Sequence, residues 1–145
     1  MRDSNYPLRK VYYSLLSGIT YNSVPVRVFY QKAPSDVSDN NYIVFGSINN
    51  VDASSKHKAD TDTSIQVTIH THQSPYNDGA AADTIAGTIL SLIYPDPQTH
   101  PDMSADSLQN VTTNLSNDFV QSYNILGGRE YVDRILTFRH RIFHT

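Results

Sequence analysis

The sequence predicts an α+β fold, an antiparallel or mixed β-sheet with two α-helices packed on one face. Three observations carry that reading. Residues 4–17 and 78–93 repeat apolar side chains at the three- and four-residue spacing of a helix buried on one side. The segment DTSIQVTIHTH alternates apolar and polar side chains strictly, the pattern of a strand with one wet face. The order is helix, two or three strands, helix, two or three strands, which segregates helices and strands and so favours α+β over repeated βαβ units.

The first helix, over residues 4–17, presents Leu8, Val11, Tyr12, Leu15 and Leu16 on one face. Pro7 falls in its first turn, where a missing amide proton costs little, and Gly18 is a natural stop. VPVRVFYQ follows as a strand from Val24 to Gln31, with Val26, Val28 and Tyr30 on one face and Pro25 at its start. APSDVSDNN is a polar turn region, and YIVFGS is a short, nearly continuous apolar run that fits a central strand. Residues 48–62, INNVDASSKHKADTD, are strongly polar and read as a long hairpin connection. The next strand places Ile65, Val67 and Ile69 on one side and Gln66, Thr68 and His70 on the other.

The second helix has a stripe of Ala82, Ile85, Ala86, Ile89, Leu92 and Ile93, with Asn77 or Asp78 available to cap its first amides. Gly87 in its interior costs about 1 kcal/mol relative to Ala, which points to close packing at that position. Residues 94–107, with Pro95, Pro97 and Pro101, form a second long loop. Two modest strands over 108–115 and 118–125 lead to a tight turn at Gly127-Gly128. The last strand, over 130–143, carries Val132, Leu136, Phe138 and Ile142 on its apolar face, opposite Tyr131, Asp133, Ile135, Thr137, Arg139 and Arg141.

The chain's 145 residues fit one domain, and a chain of this size buries roughly 70% of its unfolded surface, enough for its own core. Only 17% of residues are charged, below the roughly 25% of an average protein, so Asn, Ser, Thr, Gln and Tyr make up much of the surface. A net charge of −3 argues against affinity built on phosphate neutralisation. The lack of cysteine removes disulfides, thiol catalysis and thiolate metal sites. No apolar run approaches the ~20 residues of a membrane span, and MRDSNYPLRK has no signal-peptide apolar core. The triplets at Asn110 and Asn114 are then chance matches to a glycosylation signal.

Chemistry is hard to find in the pattern. His70 and His72 lie two apart on one strand, so they share a face about 7 Å apart and can bind a metal if a third ligand arrives. Two polar side chains on a wet face account for the same pattern. No G-x-S-x-G elbow, phosphate loop or dinucleotide fingerprint occurs, and the expectation is a protein with no catalytic residue and no cofactor. Asp60 with Asp62, and Asp36 with Asp39, are carboxylate pairs in loops, suited at most to a weak cation site. Lys56, His57 and Lys58 on the first long loop, and Arg139 and Arg141 on one face of the last strand, are the candidate contact residues. Ten tyrosines supply aromatic area for core or interface.

The sequence of LRKVYYSLLSG, VPVRVFYQKAPSDVSDNNYIVFGS, DTSIQVTIHTHQSPYNDGAAADTIAGTILSLI and ILTFRHRIF resembles the tail-completion and tail-terminator proteins of tailed bacteriophages over nearly the whole chain. The resemblance implies a virion subunit, assembled in the host cytoplasm, that forms a ring with copies of itself, commonly six-fold, at the top of the tail tube. It implies contacts with the tube and the head connector, DNA passing through without specific binding, no membrane and no catalytic residues. A short-tailed phage could use such a subunit as a neck adaptor of different symmetry. Two other classes fit the residues: a small metal-dependent enzyme using His70 and His72, and a generic adaptor that binds a protein partner through the wet face of the sheet.

Overall fold

A computed structural model describes residues 1–73, 76–125 and 129–144. Helix α1 spans Asn5–Leu16 and α2 spans Ala80–Ile93. The strands are β1 (Thr20–Tyr21), β2 (Val24–Pro25), β3 (Arg27–Tyr30), β4 (Asn41–Asp52), β5 (Ala59–Gln73), β6 (Leu108–Ile125) and β7 (Arg129–His144). Five of them form one sheet in the order β3-β4-β5-β7-β6. The pairing of β3 with β4 is parallel and the other three pairings are antiparallel, so the sheet is mixed. The predicted α+β class is the observed one.

Both helices lie on the same face of this sheet. Leu8, Tyr12 and Leu16 of α1 and Ile85, Ala86, Ile89 and Ile93 of α2 share one buried cluster with Ile43, Phe45, Ile65, Val67, Ile69, Leu136, Phe138 and Ile142. The alternation of β5 and the apolar face of β7 therefore point where the sequence places them. Register explains why they meet: Ile65 is opposite Phe138, and Val67 opposite Leu136.

Several boundaries differ from expectation. Residues 48–62 are not a long loop, because β4 continues to Asp52 and β5 starts at Ala59, leaving a hairpin tip of residues 53–58. The hydrophobic pattern disappears there because the outer part of β4 is largely exposed and the buried positions of β5, Asp60, Thr61 and Thr63, are polar. Asn50 accepts from the Thr63 hydroxyl at 2.7 Å and from Ser4, and Thr61 meets His144 Nε2 at 3.0 Å. The single strand expected over 24–31 is two pieces. Asn22 and Ser23 at φ 49° and 65° turn β1 back on β2 before Val26 enters the core. The two strands expected over 108–125 are one, with register shifts at Asn110/Thr112 and Leu115/Asn117. Residues 94–107 are the expected loop apart from one 3-10 turn at Ser104–Asp106. Two details of α2 are corrected as well. Leu92 is exposed and Ala81 takes a core position, while Gly87 is exposed with nothing within 4 Å of where a Cβ would sit. The turn expected at Gly127-Gly128 lies outside the described residues.

Asn77 fastens the approach to α2. Its side-chain oxygen accepts from the Gly79 amide at 2.9 Å, and its amide nitrogen donates to the Thr71 hydroxyl, which itself donates to the Val132 carbonyl at 2.6 Å. Asp78 accepts from the Ala80 amide at 3.0 Å. Gly79 takes φ +82°, a left-handed turn that a side chain disfavours.

Candidate interaction surface

The face of the sheet opposite the helices carries the polar and aromatic side chains of its own strands, with residues 39–40 over His72. Successive strand residues alternate faces, so the pairing register decides which of them meet there. Tyr42 of β4 lies opposite His70 of β5, His70 opposite Asp133 of β7, and Tyr131 of β7 opposite both His72 and Tyr123. The result is a continuous row across four strands. Tyr42 stacks on His70 with ring centroids 4.8 Å apart, and Phe29 meets Tyr42 edge-on at 6.0 Å. His70 Nδ1 lies 3.1 Å from Asp133 Oδ1, and the Tyr123 hydroxyl donates to Asp133 Oδ2 at 3.2 Å. Tyr123 stacks on Tyr131 at 5.1 Å, and Tyr131 reaches His72 at the same distance.

Asp133 is buried at the centre of this row. Partial burial, followed by the negative charge of Asp133 and the hydrogen bond to it, pushes the Tyr123 hydroxyl up to about 12. Tyr42 is raised for the same first reason. Both phenols therefore stay protonated, and Tyr123 remains a donor to the carboxylate at neutral pH.

His70 and His72 do share a face, as their spacing requires, but each is engaged inside the chain. His70 bonds Asp133, and His72 Nε2 donates to the Asp39 carbonyl at 2.7 Å. His72 is buried and not on a wet surface, because Tyr131 and the segment ending at Asn40 cover it. Among the described residues no group of three His, Asp or Glu side chains could hold a metal ion.

The carboxylate pairs resolve into ion pairs with arginine. Arg139 grips Asp62 through two hydrogen bonds, and Arg141 reaches Asp60 at 3.1 Å and the Ala53 carbonyl at 3.4 Å. Arg27 grips Asp39 at 2.7 and 2.9 Å. The hydrogen bond from Arg139 holds Asp62 below its ordinary range, and that from Arg27 does the same for Asp39. Arg27, Arg139 and Arg141 thus each carry a counter-charge, while Arg129 is exposed at the end of β7 without an ion pair among the described residues. Asp36 is exposed and acts on Arg27 only through its charge.

The β4–β5 hairpin tip holds the other sequence-predicted contacts. Lys56 and His57 are exposed at the turn, while Lys58 Nζ lies over the Phe143 ring, 3.3 Å from its centroid. The structure therefore leaves Lys56 and His57 at the tip, apart from the arginine pairs along the strands. The aromatic row escaped sequence reasoning. Tyr42, Tyr123, Tyr131 and Asp133 are ordinary strand residues until register brings them together, and the only hint was the placement of Tyr131 and Asp133 on one face of the last strand.

Neither a protein-family model nor a curated protein sequence matches this chain. Solved structures do. One similar chain belongs to the virion of a native gene transfer agent (GTA) particle, with 16% identity over 95% of this chain and 90% of that one, at a TM-score of 0.55. At that identity the likeness establishes a shared fold.

Proposed function

We propose that this chain is a structural, non-enzymatic virion protein of a phage or phage-like particle, acting as a ring of copies in the neck that ends the tail tube and joins it to the head connector. The observation that carries this reading is the fold held in common with a chain of a gene transfer agent virion over almost the full length of both. The surface supports it. A sheet face rich in tyrosine suits contact with protein, where aromatic area with a hydroxyl at its tip is favoured. With Arg139, Arg141 and Arg27 each paired to a carboxylate, these three side chains offer little to a phosphate backbone, which fits a ring through which DNA slides without being gripped.

The test is genetic and structural together. Deleting the gene should give filled heads and separate tails, or tails of uncontrolled length, and the chain should be located at the neck in a map of the assembled particle. Infectious, intact particles from the deletion would end the proposal.

A further inference from the structure

The two edges of the five-stranded sheet differ in a complementary way. One edge is β6, an 18-residue strand whose outer backbone has no partner strand among the described residues. Edge strands in monomers are usually blunted by lysine or proline. Here residues 108–125 contain no Lys, Arg or Pro, and their single charge is Asp118. Leu115, Phe119 and Val120 are exposed along it, Val120 at 56%. Arg134 beside the strand is shared by Asp118, at 3.0 and 2.7 Å, and by Asp83 of α2, at 3.1 Å. Two carboxylates on one guanidinium leave this edge apolar with a net negative charge.

The other edge is β3 with the outer side of α1. Tyr6 and Tyr13 are each 54% exposed. The Arg9 guanidinium is held between the rings of Tyr6 and Tyr30, at 4.9 and 4.4 Å from their centroids. Among the described residues Arg9 has no carboxylate partner, unlike Lys10 beside it, which pairs with Asp106 at 3.1 Å. Arg9, Lys10, Tyr13, Tyr30 and Phe45 line a hollow of about 220 Å³. Arginine and tyrosine set around an apolar hollow are the side chains most often found at the energetic centre of protein interfaces.

We infer that the β6 edge of one copy seats against the α1–β3 edge of the next, with the Leu115–Val120 region covering the aromatic hollow and the Asp83–Asp118 cluster facing Arg9. This rests on the ring reading above and gives that ring its two contact surfaces. The second copy is chosen by charge and shape. A two-fold contact would set acidic edge on acidic edge, or arginine on arginine, whereas a head-to-tail contact sets acid and aliphatic against cation and aromatic. Four strand spacings separate the two edges, about 19 Å, so each subunit carries both halves of the contact on opposite flanks, as a closing ring requires.

The experiment is sedimentation velocity from micromolar to millimolar concentration on the full chain, wild type, Arg9→Glu and Val120→Lys. Val120 is exposed and Arg9 partly so, and matched thermal melts check that each variant is folded. The wild type should self-associate, each variant should associate at least tenfold more weakly, and an equimolar mixture of the variants should form dimers that grow no further, because one intact contact remains between them. A variant that assembles as well as the wild type, or a mixture no better than its components, overturns the inference and leaves the ring reading standing. A wild type that stays monomeric at millimolar concentration, with a different protein filling the hollow in the particle, also overturns it. In that case the neck location still rests on the particle map.

Discussion

At the scale of single residues the most constrained group is His140, fully buried in the core. Both ring nitrogens are engaged, Nδ1 with Asn110 Nδ2 at 3.2 Å and the Thr113 hydroxyl at 3.1 Å, and Nε2 with the Tyr12 hydroxyl 2.5 Å away. Burial lowers the His140 pKa to about 4, from an ordinary value of 6.5. The unfolded chain therefore takes up a proton that the folded chain refuses, and the contribution to stability is whole above pH 6.5 and lost as pH falls toward 4. Its size is on the order of 3 kcal/mol, and urea unfolding between pH 7 and 4 should show the slope, which His140→Gln should flatten. Tyr12→Phe leaves the buried Nε2 without its hydrogen-bond partner and should cost about 1–3 kcal/mol by the same measurement. On the open face, Asp133→Asn should lower the Tyr123 pKa from its present value near 12, read by NMR of the labelled ring, since it removes the charge that opposes ionisation.

At the scale of elements, α2 carries two glycines with opposite expectations. Gly79 has φ +82° and sits just before the helix, so Gly79→Ala should destabilise by about 1–2 kcal/mol through left-handed strain alone. Gly87 is a helix-interior residue with open space where a side chain would go, so Gly87→Ala should stabilise the isolated chain by about 0.5–1 kcal/mol. Thermal melts of the two single variants check both signs. Both helices and the alternating centre of β5 were legible because their buried positions are apolar and keep a fixed period. The β1–β2 hairpin was not, since its two left-handed positions are filled by Asn22 and Ser23 and lack the Asn-Gly signal. The outer parts of β4 and β5 were equally hidden, because that of β4 is largely exposed and Thr61 and Thr63 on β5 bury hydrogen bonds in place of apolar area.

At the scale of the whole molecule, the arginines give a direct test of what the sheet face meets. Arg139 is exposed and already paired with Asp62, so Arg139→Ala should leave the thermal melting temperature nearly unchanged. The double variant Arg139→Ala/Arg141→Ala should leave DNA affinity unchanged in low-salt anisotropy titrations. A tenfold loss, with a shallower salt dependence, would mark these residues as phosphate contacts.

The sequence by itself determined the α+β class, both helices, the buried faces of β5 and β7 and the scarcity of surface charge, because each depends on local period or composition. Tertiary structure alone decided that Arg139 meets Asp62, that His70 and Tyr123 share Asp133, and that one sheet edge is acidic and aliphatic while the other is cationic and aromatic. Those facts depend on strand order and register, which join residues far apart in the chain, 77 positions for Arg139 and Asp62, and leave no trace in the spacing of either segment.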